Sequence, residues 1–248
     1  MGWYVVLAAA AAAAAVAGAV VRVGSGSARQ RALLRLCADA GLACAMLDPF
    51  PDTTVLPFRV FGWGSAHGVE NVVWGGGDDR AIRVFDLWVQ PRTDEGRRTM
   101  TCGVVPLPFS VPTIAILSRG QVDPSGEPVT GDEVHLELDA FEERFEVRAD
   151  DPRAAVALLD QRMMVTLLRL PVRVAIHVHG DAMLMVAPTL EPGEMLLLLA
   201  CAKALAGRVP SVVASLYPPR PARGPYEQRW LQGSLSADPT SADAPEPS

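Results

Sequence analysis

Val172-Arg173-Val174-Ala175-Ile176-His177-Val178-His179-Gly180-Asp181-Ala182-Met183-Leu184-Met185-Val186-Ala187-Pro188 is the stretch on which the fold class turns. Two apolar, β-branched-rich runs flank Gly180-Asp181, and a glycine at the first place of a two-residue connection is the signature of a hairpin turn. The stretch therefore predicts two antiparallel strands with Val174, Ile176, Val178, Met183 and Met185 on one face.

Helical and strand signals alternate on either side of it. Upstream, Asp150-Asp151-Pro152 offers an N-cap with proline at the first helical position, predicting a helix to about Leu170 with Val156, Leu159, Met163, Leu167 and Leu170 inward. Phe145 and Val147 continue a strand, and Val134, Leu136 and Leu138 alternate with His135, Glu137 and Asp139 as a half-buried strand would. Farther back, Val55–Phe61, Val69–Trp74, Ala81–Gln90, Thr99–Val105 and Thr113–Leu117 are short apolar runs bounded by Gly, Pro and Asp. Gly75-Gly76-Gly77-Asp78-Asp79 joins two of them as a hairpin connection. Downstream, Glu194–Ala206 predicts a last helix, too short to span a bilayer. Ala28–Ala40 predicts a first one, with Leu33, Leu36, Cys37 and Ala40 inward and Arg29, Arg31 and Arg35 on the other side. The sum is an α+β domain: a largely antiparallel sheet with two or three packing helices.

This domain, residues 28–216, is expected to follow a membrane anchor. Trp3–Val21 carries no charge; nineteen residues rise about 28 Å as a helix, against a hydrocarbon core of about 30 Å. Residues 1–21 read as the anchor, with the lipid bilayer as partner through residues 3–21, and 22–27 as a flexible joint. Ala17-Gly18-Ala19 has the form of a signal-peptidase site, yet no Lys or Arg precedes the apolar run, which is also longer than the usual 7 to about 15 residues. Arg22, Arg29, Arg31 and Arg35 follow the run, so the positive-inside rule puts the N-terminus outside and the domain in the cytoplasm. The alternative is an extracytoplasmic domain that binds envelope material. From Tyr217 to Ser248 the Pro-, Ser-, Asp- and Ala-rich composition reads as a disordered tail.

Chemistry is sparse. The net charge of −6 argues against nucleic acid as a partner. Cys37, Cys44, Cys102 and Cys201 form no CxxC pair and lie among apolar neighbours, as buried, inert thiols do. Gly62-Trp63-Gly64-Ser65-Ala66-His67 lacks the last glycine of a nucleophile elbow. The acidic run Asp132–Glu146 reads as a solvated face. His177 and His179 lie two apart on a strand with Asp181 beside them, a set that can hold a divalent metal such as zinc. No catalytic constellation or cofactor motif accompanies them.

Arg83-Val84-Phe85-Asp86, and Phe145-Glu146-Val147-Arg148-Ala149-Asp150-Asp151-Pro152 before a helix carrying Met163-Met164, together resemble a family of uncharacterised bacterial single-pass membrane proteins with one soluble domain of unknown function. The resemblance implies an anchor and a domain, and supplies no catalytic residue. The expectation is a membrane-anchored, non-enzymatic interaction module with an unknown protein partner. The alternative is a membrane-anchored, metal-dependent hydrolase using His177, His179 and Asp181.

Overall fold

The computed structural model describes residues 28–50, 53, 56–62, 64–75, 82–92 and 96–219. The anchor, the joint, most of the Gly75–Asp79 connection, Trp63 and the chain beyond Pro219 lie outside these residues. Among the described residues no helix is long and apolar enough to cross a membrane.

The architecture is α+β, built on one seven-stranded antiparallel sheet. Its strands are β1 (Ala43–Leu47), β2 (Ala66–Trp74), β3 (Arg83–Gln90), β4 (Arg98–Ser118), β5 (Asp132–Glu133), β6 (Phe145–Ala149) and β7 (Ala175–Pro188). The order is β1-β2-β3-β4-β6-β5, with β7 paired along the other side of β4. β4 is the spine. Its first half pairs with β3, its last five residues pair with β6, and β7 runs beside both parts. The expected hairpin of β2 on β3 is present, as are the strand at Phe145 and the antiparallel class.

Several boundaries differ from expectation, each for a local reason. Val172–Pro188 is not a hairpin: Ala175–Pro188 is one strand, and Gly180, at φ +60°, sits opposite Val111 in an irregular stretch of the ladder. Even so, Val174, Ile176, Val178, Met183 and Met185 all enter the same core, while Ala182, Leu184 and Val186 enter the other. A bulge changes the facing of a strand just as a two-residue turn would, and glycine tolerates the positive φ that the bulge requires. In the same way Thr99–Val105 and Thr113–Leu117 belong to one 21-residue strand. Val55–Phe61 is not a strand where described; Arg59–Gly62 is a 3₁₀ turn.

Among the described residues, six helical segments pack on the sheet rather than two or three: α1 (28–39), α2 (Asp139–Arg144), α3 (Pro152–Leu158), α4 (Gln161–Leu168), α5 (Pro192–Ala206) and α6 (Ser211–Leu216). The helix predicted from Pro152 to Leu170 is split. Asp151 caps α3 by accepting from the Arg153 N–H, and Asp160 starts a new helix by accepting from the Met163 N–H. The split turns Val156 outward, 55% exposed, while Leu159, Met163, Leu167 and Leu170 are buried as expected. Val134–Leu138 keeps its predicted facing, with Val134 buried and Leu136 and Leu138 packed on the core, but the ladder stops at Glu133.

Two cores result. One lies between the sheet and the helices. The other lies on the opposite face, where the chain between β1 and β2 folds under the sheet and brings Phe50, Leu56, Phe58, Val60 and Phe61 against Phe85, Leu87 and Val89. Burying such a side chain contributes about 1.5–3 kcal/mol relative to leaving it in water. Tyr217, predicted as the first tail residue, belongs to the domain: its hydroxyl donates to Asp151 Oδ2 at 2.6 Å and its carbonyl accepts from the Ser110 N–H.

Candidate functional site

The residues predicted as metal ligands are separated by their partners. Strand alternation gives His177 and His179 one direction, opposite to Ile176 and Val178. His177 is only 3% exposed; its Nε2 lies 2.8 Å from Asp123 Oδ2, in the connection between β4 and β5. Ser125 Oγ donates to the same Oδ2 at 2.7 Å, the Ser125 N–H donates to Oδ1 at 2.9 Å, and the Glu127 N–H donates to Ser125 Oγ at 3.1 Å. Burial pushes the Asp123 carboxyl up, but the hydrogen bond and charge of His177, with the two Ser125 hydrogen bonds, outweigh it and hold the group below the ordinary carboxylate value. His179 is exposed, its Nδ1 3.1 Å from Thr113 Oγ1. Asp181 is half-buried in the irregular stretch beside Gly180. Among the described residues no group of three or more His, Cys, Asp and Glu side chains is arranged to hold a metal ion.

Ser125, His177 and Asp123 have the composition of a hydrolytic triad without its wiring. Ser125 Oγ lies 2.7 Å from Asp123 Oδ2 and 3.5 Å from His177 Nε2, the same nitrogen that meets Asp123, so the imidazole does not bridge serine and carboxylate through its two nitrogens, and Ser125 is only 1% exposed. What the arrangement does is fasten the 119–131 connection to β7.

A second buried cluster on the helix-bearing face was not foreseen. Asp86, 2% exposed, accepts from Arg29 Nη2 at 3.0 and 3.3 Å, from Asn71 Nδ2 at 2.9 Å and from Thr101 Oγ1 at 2.8 Å. Thr101 Oγ1 in turn accepts from the Leu190 N–H at 2.9 Å, just before α5. Asn71 reaches inward because the β2 bulge gives it φ +57°, a conformation that asparagine tolerates better than bulkier residues. Arg29, predicted on the outer side of α1, thus faces the sheet, and Leu36 is more than a third exposed. The signal lay in Arg83-Val84-Phe85-Asp86-Leu87-Trp88-Val89: a carboxylate inside a strand buried on both faces must have a partner.

The cysteines are free. Cys37, Cys102 and Cys201 are buried, and burial pushes each thiol up, Cys37 to about 12 with Cys44 beside it. As thiols rather than thiolates they are poor nucleophiles.

An open concavity lies between the 134–138 segment and the α3–α4 pair, with a volume of ≈ 490 Å³. Its apolar lining is Leu136, Leu138, Val156, Leu159 and Met164, and its polar lining is His135, Glu137, Asp160 and Gln161. Glu142, which accepts from the Leu136 N–H at 2.7 Å, fixes the 134–138 wall.

No family model and no curated protein matches the chain. Among solved structures, the crystal structure of the mycobacterial trehalose monomycolate transport factor A is similar, with a TM-score of 0.53 at 15% identity, over 78% of this chain and 98% of that one. The likeness is one of fold.

Proposed function

We propose that the chain is a non-enzymatic binding module, tethered to the membrane through residues 3–21 with its domain on the cytoplasmic side, and that it serves as an accessory factor in transport. The observation that carries the reading is that the buried ionisable clusters are closed: Asp86 and the Asp123–His177 pair spend their hydrogen bonds on holding α1 and the 119–131 connection. Reactive groups in enzymes need access to substrate and a free proton-transfer partner. The fold similarity to a transport factor supports the same class.

The test uses the full chain in bacterial membranes. Removing residues 1–27 should release the protein from the membrane fraction, and a cysteine at position 241 (Ser241→Cys) should react with a membrane-impermeant thiol reagent only after lysis. Labelling in intact cells would overturn the cytoplasmic placement. A stoichiometric metal retained by the purified chain, together with a metal-dependent hydrolysis, both lost in His177→Ala/His179→Ala, would instead establish the hydrolase reading.

A further inference from the structure

We propose that the groove between residues 134–138 and α3–α4 seats the chain's own C-terminal segment, with Trp230 and Leu231 on its apolar floor and the arginines of residues 220–231 set against its acidic rim. Three observations on this chain lead there. The groove offers Val156, 55% exposed, and the half-buried Leu136 and Leu138 to solvent, above the buried Leu159 and Met164. Its charged lining is acidic, from Glu137 and Asp160, while Arg162 and Arg208 line the adjoining depression on the far side of Asp160. Residues 220–231 carry Arg220, Arg223 and Arg229 against Glu227 alone, together with Tyr226, Trp230 and Leu231.

Where the domain ends is the third observation. Tyr217 is hydrogen-bonded to Asp151, the cap of α3, so the described chain leaves the fold at the head of the helix whose Val156 lines the groove. α3 rises only about 10 Å along its seven residues. The eleven residues after Pro219, ending at Trp230, span up to about 37 Å, so reach is ample. Tethering also removes most of the entropic cost of association, because a short linker gives an effective concentration on the order of millimolar. Trp is suited to such a seat: it buries about 150–250 Å² with few rotatable bonds.

The experiment places a photoreactive benzophenone amino acid at position 230 in the full chain, followed by irradiation and peptide mapping. The expected product joins residue 230 to the peptide bearing Met164 within one molecule, with a yield that falls several-fold in Arg220→Glu/Arg223→Glu/Arg229→Glu and in Glu137→Lys, all at exposed or terminal positions. The reciprocal probe at position 156 should capture residues 220–231 while Trp230 is intact. Adducts elsewhere, a yield indifferent to both charge reversals, or adducts only between isotopically distinct copies would each overturn the proposal; the last would put a second copy in the groove. These outcomes are independent of membrane sidedness and metal content.

Discussion

Asp86 and Asp123 fasten opposite faces of one sheet, and they do so with different partners. Asp86 holds α1 through Arg29, with Asn71 and Thr101 completing the shell. Asp123 holds the 119–131 connection through His177, with Ser125 completing it. The guanidinium carries a fixed charge and several donors, whereas the imidazole meets its carboxylate through one ring nitrogen. The first fastening is therefore an ion pair that fixes where α1 meets the sheet. The second joins the His177 contact to hydrogen bonds from the Ser125 N–H and hydroxyl. A carboxylate inside a fold is thus not a sign of catalysis; the partner decides what it does.

The sharpest way to break this comparison is Asp86→Ala, which strands Arg29, Asn71 and Thr101 and should cost about 3–5 kcal/mol in urea unfolding. A paired Arg29→Leu/Asp86→Leu change should recover much of that loss, since it is the unpaired charge, rather than the missing pair, that is costly. Asp123→Ala should cost less, about 1–3 kcal/mol, because neutral hydrogen bonds carry part of the second fastening. Smaller again is its pH dependence. The folded-state value of Asp123 is lowered below the ordinary 3.8, so its contribution is full above the unfolded value and is lost as pH falls through the folded one. The stability gap between the native protein and Asp123→Asn should narrow as pH falls below 3.8; a gap that widened there would reverse the sign. The smallest effect is expected at a half-buried carboxylate near the surface. Tyr217 first, then the Arg153 N–H, hold Asp151 low, and burial followed by Asp151 pushes the tyrosine hydroxyl up to about 12. In Tyr217→Phe the Asp151 carboxyl should titrate closer to 3.8 by NMR, with little change in melting.

Facing was legible in the sequence to a greater degree than pairing. Val174, Ile176, Val178, Met183 and Met185 share a core as their spacing requires, yet spacing cannot tell a turn from a bulge, because both shift the alternation. The difference is settled by β4, whose length gives β7 an unbroken partner, and that is tertiary information. Asp160 was a readable cap inside a predicted helix, and its local hydrogen bond to Met163 prevailed over helical periodicity. His177 was legible as polar but not as buried, since the connection that covers it comes from more than fifty residues earlier. The Asp86 cluster draws on α1, β2, β3, β4 and the approach to α5, so no window of sequence contained it.

The spine strand has a consequence for synthesis. β4 pairs Met100 with Pro188 and Ile116 with Ile176, so its inner side stays open until the ribosome has delivered almost the whole domain. Loop closure of that length costs entropy before any contact rewards it, which slows folding and leaves an apolar strand edge uncovered in the meantime. The β2–β3 hairpin and its junction with β4 can form early, the β4–β7 ladder only last. A nascent chain stalled before α4 would present that edge to neighbouring chains, making translation rate and chaperone access, more than final stability, the determinants of yield.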